Sequence, residues 1–355
     1  MKSSTKRILN LLFIFSIFAL VLYIGLKGND PKQILTELIA LPWYWLCIII
    51  GCWIAYMVCE TISTSIYFLL QGFKVPFFRM FRIVLIGNYY SSITPAATGG
   101  QPMQIYYFKK SGIPIGISTS ILAVRFFMFQ LGLIIVSSVL WFSNKDFVST
   151  QLGGHMWILY MGYFFNGITV LAVLLLAINS RLVRFLGYGA IRILEKIHLV
   201  KKNTSIVNKI DTAIDNFDKS VRMIRNDPLQ LLLQFLLTCI QFMCIFALTN
   251  AIYIALGLPS NTTTNIEILT MSALLFVAAS YAPLPGASGA QEGGFALFFK
   301  NLFPGSKLFS ALLLWRFASY YTTLLLGFIF TLFPMKNIDT RLHKNRQFTP
   351  QPKEE

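Results

Sequence analysis

The chain has 355 residues, of which 55% are hydrophobic and only 12% charged. A soluble domain carries roughly a quarter charged residues, so these proportions exclude a water-soluble globule. The formal charge of +16 sits in short stretches between apolar runs, where Lys and Arg set membrane orientation and meet anionic headgroups; this reading leaves no role for nucleic acid.

In chain order, the first apolar run covers about 8–26 and follows Lys2, Lys6 and Arg7. It is long and lacks a small-x-small cleavage site, so it reads as an uncleaved first span. Further runs at about 42–70, 117–142, 156–178, 228–256 and 307–333 bring the expected full crossings to six. Two more apolar stretches, at about 77–108 and 266–299, are broken in the middle by proline and glycine clusters and are expected to be re-entrant helical hairpins. The loop at about 180–227 places Ile206, Ile210, Ala213, Ile214, Phe217, Val221 and Ile224 at helical spacing. It is either a surface helix on the inner leaflet or an ordinary helical linker. The expected architecture is an all-α polytopic membrane protein forming one transmembrane domain over residues 1–340, followed by a disordered basic tail at 341–355.

Basic residues near the N-terminus, from Lys74 to Arg82, from Arg181 to Arg225 and after Pro334 mark those segments as cytoplasmic. The nearly uncharged segments around Gly153 and Asn261 then lie outside, and the two hairpins point at each other from opposite sides. A repeat supports this inversion. Pro95-Ala96-Ala97-Thr98-Gly99-Gly100-Gln101 returns as Pro285-Gly286-Ala287-Ser288-Gly289-Ala290-Gln291 at an offset of 190, with Phe108, Lys110 and Pro114 matching Phe298, Lys300 and Pro304. Arg125-Phe126 matches Arg316-Phe317 one residue out of register. The two repeats are expected at about 42–142 and 228–333.

Broken helices at corresponding places in inverted halves point to a binding site between them, because unpaired backbone in hydrocarbon survives only inside protein or beside water. Candidate lining residues in the first repeat are Asn88, Thr94, Pro95, Thr98, Gly99, Gly100, Gln101 and Gln104. In the second they are Pro285, Gly286, Ser288, Gly289, Gln291 and Glu292. The glycines either bring backbone amides close to a headgroup or merely allow tight hairpin packing. Charges inside apolar runs need a partner or a purpose, so Arg125 and Arg316 are expected to face a central cavity, paired with Glu292 or Glu60. One arginine then grips a lipid phosphate through two parallel bonds, or both form internal ion pairs that fix helix packing. Tyr106 and Tyr107 with Lys109 and Lys110 read as an interfacial anchor.

The five cysteines and three histidines show no metal-ligand or catalytic spacing, and no P-loop sequence occurs, so neither a cofactor nor a metal is expected. The sequence from Asn88 to Lys110, with Tyr-Tyr-Ser-Ser-Ile-Thr-Pro then Gly-Gly, followed by Arg125 and by the heptamer ending Gln291-Glu292, resembles the transmembrane region of lysylphosphatidylglycerol synthases. That is the flippase-like part of the bacterial multiple peptide resistance factor and its stand-alone relatives. The resemblance implies a bacterial cytoplasmic membrane protein with cytoplasmic termini that moves phosphatidylglycerol or its aminoacyl form between leaflets and contributes to resistance against cationic antimicrobial peptides. Its partners would be membrane phospholipid, a separately encoded aminoacyltransferase and further copies of the chain. The family's lysyltransferase domain has no counterpart in the few residues after Pro334, so enzymatic lysyl transfer is not assigned to this chain. Relatives often carry an acidic residue and an arginine after the first Gly-Gly, where Gln101 and Gln104 stand here. Two other readings remain: a component of phosphatidylglycerol lysyltransferase, and an ion-coupled carrier of a small solute or polyprenyl-linked intermediate.

Overall fold

The structure is a computed structural model that describes residues 30–178, 215, 222, 226–259 and 261–335. The expected span at 8–26, the apolar positions of the 180–227 loop and the tail at 341–355 lie outside the described residues. Among the described residues there is no strand.

Several helices start where a proline supplies a fixed φ and lacks an N–H that the first turn cannot use. Helix α1 (Pro31–Ile39) has Pro31 in its first turn, and the Asp30 carboxylate accepts the Lys32 N–H at 2.9 Å. Pro42, Pro76 and Pro114 stand directly before α2 (Trp43–Leu70), α3 (Phe77–Ile93) and, after α4 (Gly100–Lys110), α5 (Ile115–Ser143). The short α6 (Lys145–Leu152) leads into α7 (Met156–Ile178). Helix α8 (Pro228–Ala255) is capped by Asp227, which accepts the Gln230 N–H at 3.0 Å, and α9 (Thr262–Ala279) by Asn261, which accepts the Thr264 N–H at 2.8 Å. The chain closes with α10 (Ala290–Phe299), α11 (Lys307–Arg316) and α12 (Thr322–Leu332).

Among the described residues, five helical stretches are long and apolar enough to cross a membrane: α2, α5, α6 with α7, α8, and α11 with α12. They match five of the six expected crossings, and the chain is a multi-pass membrane protein. One feature has no signal in the sequence. The last span is interrupted by a π-helical turn, Phe317–Tyr321, directly after Arg316 and without a proline or glycine to cause it. The wider turn loosens the backbone ladder, and hydroxyls take up the loosened carbonyls: Ser319 donates to Trp315 O at 2.6 Å and Thr322 to Phe317 O at 2.8 Å.

The two interrupted stretches are hairpins. Arms α3 and α4 meet at the turn Pro95–Ala97, and arms α9 and α10 at the turn Pro285–Ala287. The turns touch each other, so the tips meet as their opposed orientation requires. The equivalent spans α2 and α8 form the most extensive helix contact, and they run antiparallel: Ser63 donates to Gln234 at 2.5 Å while Tyr56, earlier in α2, bonds Gln241, later in α8. Each repeat's last span packs on the other repeat's hairpin, α5 on α9 and α12 on α3. This exchange is the contact pattern of two inverted copies folded into one body.

Between helices in lipid there is no hydrophobic drive toward association, so close packing and internal polar bonds hold the bundle. Small residues permit the approach. A Cβ on Gly162 of α7 would lie 2.7 Å from the Val277 carbonyl of α9, and one on Gly132 of α5 would lie 2.8 Å from Thr238 of α8.

Candidate functional site

The hairpin tips are built alike. Thr98 donates to the Pro95 carbonyl at 3.0 Å, and its repeat mate Ser288 donates to the Pro285 carbonyl at 2.9 Å. Two successive residues in each tip adopt left-handed backbone: Ala96 (φ 49°) with Ala97 (55°), and Gly286 (61°) with Ala287 (50°). Left-handed conformation costs an alanine roughly 1–2 kcal/mol, so both turns hold strained backbone where they meet.

Around the tips lies a cavity of about 650 Å³. Its walls combine Trp53, Tyr56 and Met57 of α2 with Phe126, Phe129 and Gln130 of α5 and with Trp315, Arg316, Ser319, Tyr320 and Thr323 of the last span. The tips contribute Asn88, Ser91, Ser92, Thr98 and Gln101 from the first repeat, and Tyr281, Gly286 and Gln291 from the second.

One arginine pair stands toward each end of this cavity. Along α2, Glu60 lies one turn beyond the cavity residues; along α5, which runs antiparallel to α2, Arg125 comes directly before them. The Arg125 Nη1 bonds the Glu60 carboxylate and also donates to Thr64 Oγ1 at 3.3 Å. Asn88, itself on the cavity wall, donates to the other Glu60 oxygen at 3.1 Å. Among the described residues, the Arg125 Nε and Nη2 donate to nothing, and its side chain keeps 18% of its exposure.

At the other end Arg316 is fully engaged and only 1% exposed. Its Nε and Nη2 reach Glu292 Oε1 at 2.7 and 2.5 Å, its Nη1 donates to Gln291 Oε1 at 2.5 Å, and both Nη atoms approach the Gly286 carbonyl at 3.4 Å. The guanidinium also lies over the Tyr320 ring, 4.9 Å from its centre. The second Glu292 oxygen accepts the Gly289 N–H at 2.6 Å, so this carboxylate caps α10 and holds the arginine at once. The expected pairing thus takes a definite form, with each arginine bound to the carboxylate of its own repeat.

Of the sequence-derived candidates, Asn88, Thr98, Gln101, Gly286, Gln291 and Arg316 line the cavity. Arg125 and Glu292 adjoin it through the pairs just described. Thr94 closes the first tip, donating to the Tyr90 carbonyl at 2.7 Å and accepting the Gly99 N–H at 2.8 Å. Gly100 packs the hairpin arms together: its Cβ would meet Ser91 and lie 2.8 Å from the Gly87 carbonyl. Gln104 is buried between those arms, against Gly87. Pro95 and Pro285 set the turns, and Gly289 with Ser288 caps the second one.

Residues absent from the sequence reading complete the site. Gln130 donates to Tyr281 Oη at 2.6 Å and to Asn166 Oδ1 at 3.0 Å, and Tyr281 donates on to Thr169 at 2.6 Å. This chain of polar groups leads from the cavity into α7. Its signal was present: Gln130 and Asn166 are isolated amides inside apolar runs, as informative there as the arginines.

A family model described as the lysylphosphatidylglycerol synthase TM region matches residues 7–327. The chain is also 25% identical over 272 residues to a "UPF0104 membrane protein" of Archaeoglobus fulgidus, covering 73% of this chain and 76% of that one. It is 21% identical over 346 residues to an "Uncharacterized protein MG306 homolog" of Mycoplasma pneumoniae, covering 87% and 82%. With the match running through both hairpins and both arginines, the chain belongs to the lysylphosphatidylglycerol synthase transmembrane-region family.

Proposed function

We propose that this protein is a lipid translocase that passes a phospholipid headgroup through the cavity between the hairpin tips while the acyl chains stay in the bilayer. The observation that carries the reading is a cavity of about 650 Å³ where two opposed broken hairpins meet among apolar spans, its partly open and largely apolar wall set with Asn88, Gln101, Gln130, Gln291 and Arg316. Polar groups gathered on such a wall cost stability unless water or a polar ligand meets them, and the apolar remainder suits a lipid. The unused Nε and Nη2 of Arg125 form the edge that grips a phosphate through two parallel bonds, whereas Arg316 has no donor left to offer.

Phosphatidylglycerol is the first substrate to test, and the basic segments orient both termini to the cytoplasm of a bacterial cytoplasmic membrane. Moving this anionic lipid from one leaflet to the other changes the charge of both membrane surfaces. In liposomes carrying the purified protein, labelled phosphatidylglycerol in the inner leaflet becomes accessible to an external quencher faster than in empty liposomes, and Arg125→Ala abolishes the gain. Equal rates with and without the protein, under any imposed ion gradient, overturn the reading.

A further inference from the structure

The charge and hydrogen-bonding inventory of the cavity says which headgroups it accepts. Arg316 is the one charged side chain on the wall among the described residues, and Glu292 neutralises it. Glu60, one turn beyond the wall residues of α2, is held by Arg125 and Asn88. Among the described residues, neither of these two carboxylates is therefore free to receive a cation. A lysyl headgroup would bring two ammonium groups into this space, and a desolvated cation without a counter-charge is strongly disfavoured.

What the wall does offer is amides and hydroxyls beside flat aromatic faces. Among the described residues the amide oxygens of Asn88 and Gln130 accept no hydrogen bond, and Gln101 is exposed at the first tip with both ends of its amide unused. Such groups match vicinal hydroxyls, which donate and accept together. The partly buried rings of Tyr56, Phe126 and Tyr281 supply surfaces against which the C–H face of a sugar ring or a glycerol packs.

Resting on the translocase reading above, we infer that the substrate headgroup is an uncharged polyol, either the glycerol of phosphatidylglycerol or a hexose on a glycolipid, and that the aminoacyl form is rejected. The phosphate, where there is one, meets Arg125; the hydroxyls meet Asn88, Gln101 and Gln130.

The test compares three labelled lipids in the same proteoliposomes: phosphatidylglycerol, monoglucosyl diacylglycerol and lysylphosphatidylglycerol. The expected result is that one or both polyol lipids cross at least roughly tenfold faster than the lysyl lipid, the kind of discrimination a site gains when the wrong ligand leaves a polar group unmatched. Rapid phosphatidylglycerol with slow glucosyl lipid identifies the glycerol headgroup, and the reverse the hexose. Gln101→Glu, at an exposed position that does not endanger folding, supplies the missing counter-charge and narrows the gap. Lysyl lipid crossing as fast as phosphatidylglycerol in the wild-type protein overturns the polyol inference and leaves the translocase reading standing. No lipid crossing faster than in empty liposomes overturns both. A binding measurement checks the same point without transport: short-chain phosphatidylglycerol raises the Tm of the protein in detergent, and a short-chain lysyl lipid at equal concentration does not.

Discussion

Arg125 and Arg316 occupy matching places in the two repeats, at the start of the last span of each, yet the protein holds them in opposite ways. Arg316 is buried and every donor is used, by Glu292, Gln291 and the Gly286 carbonyl. Arg125 has a carboxylate partner at Nη1 and keeps the rest of its guanidinium unbonded. The carboxylates also come from different places. Glu292 belongs to the second hairpin, so that pair ties the hairpin to the last span; Glu60 belongs to α2, so the first pair ties two spans, and Asn88 of the first hairpin bonds to it from the side. Equal arginines at matching places thus differ in what they leave available: Arg316 has every donor used, while Arg125 has one side of its guanidinium unbonded among the described residues.

The sharpest way to break that comparison is to remove the fully bonded arginine. Arg316→Ala strands Glu292 inside the bundle, and losing one partner of a buried pair costs about 3–5 kcal/mol. Thermal unfolding in detergent is expected to show a large drop in Tm. The double variant Arg316→Met with Glu292→Leu removes both charges and is expected to recover much of that loss, because the stranded carboxylate is the main cost. A double variant as unstable as the single one would show that the packing of Arg316 over Tyr320, and not its charge, holds the hairpin.

The next largest effect separates the two arginines by function. Lysine keeps the charge and loses the planar fork. Arg125→Lys is expected to leave Tm nearly unchanged, since a single ammonium still meets Glu60, while lipid movement falls roughly tenfold or more for want of the second phosphate bond. Arg316→Lys is expected to lower Tm, because one ammonium cannot serve Glu292, Gln291 and the Gly286 carbonyl together. Measuring Tm and translocation for both variants decides the matter; the same loss of Tm in both would mean that Arg125, like Arg316, holds the fold together.

Much of this was legible in the sequence, for physical reasons. Apolar length marked the spans, proline and glycine marked the hairpin breaks, and the repeated heptamer with its basic flanks marked their opposition. Arg125 and Arg316 stood out because a charge inside an apolar run is expensive. What stayed hidden depends on rotation and register. Nothing in the run around Phe317 announces a π-turn. The choice of Glu60 for Arg125 required knowing that α2 and α5 lie antiparallel at that height. Gly100 and Gln104 look like ligand contacts in one dimension, but the helix turn points them between the hairpin arms.

The smallest effects belong to the turns Pro95–Ala97 and Pro285–Ala287, which differ by one methyl group. Gly286 and Ala96 share the left-handed conformation, but only Gly286 faces an obstacle: a Cβ there would run into the Tyr320 ring on the cavity wall. Gly286→Ala is therefore expected to cost about 1–3 kcal/mol by overpacking and to slow lipid movement by displacing Tyr320. The reciprocal change, Ala96→Gly, relieves roughly 1–2 kcal/mol of left-handed strain and adds about 0.5–1 kcal/mol of chain entropy to the unfolded state. Its expected outcome is a gain of between zero and about 1.5 kcal/mol, read as a small rise in Tm. If lipid movement falls as Tm rises, the strained alanine positions the first tip for transport; if movement is unchanged, the strain is an incidental product of replacing a glycine in an exposed turn.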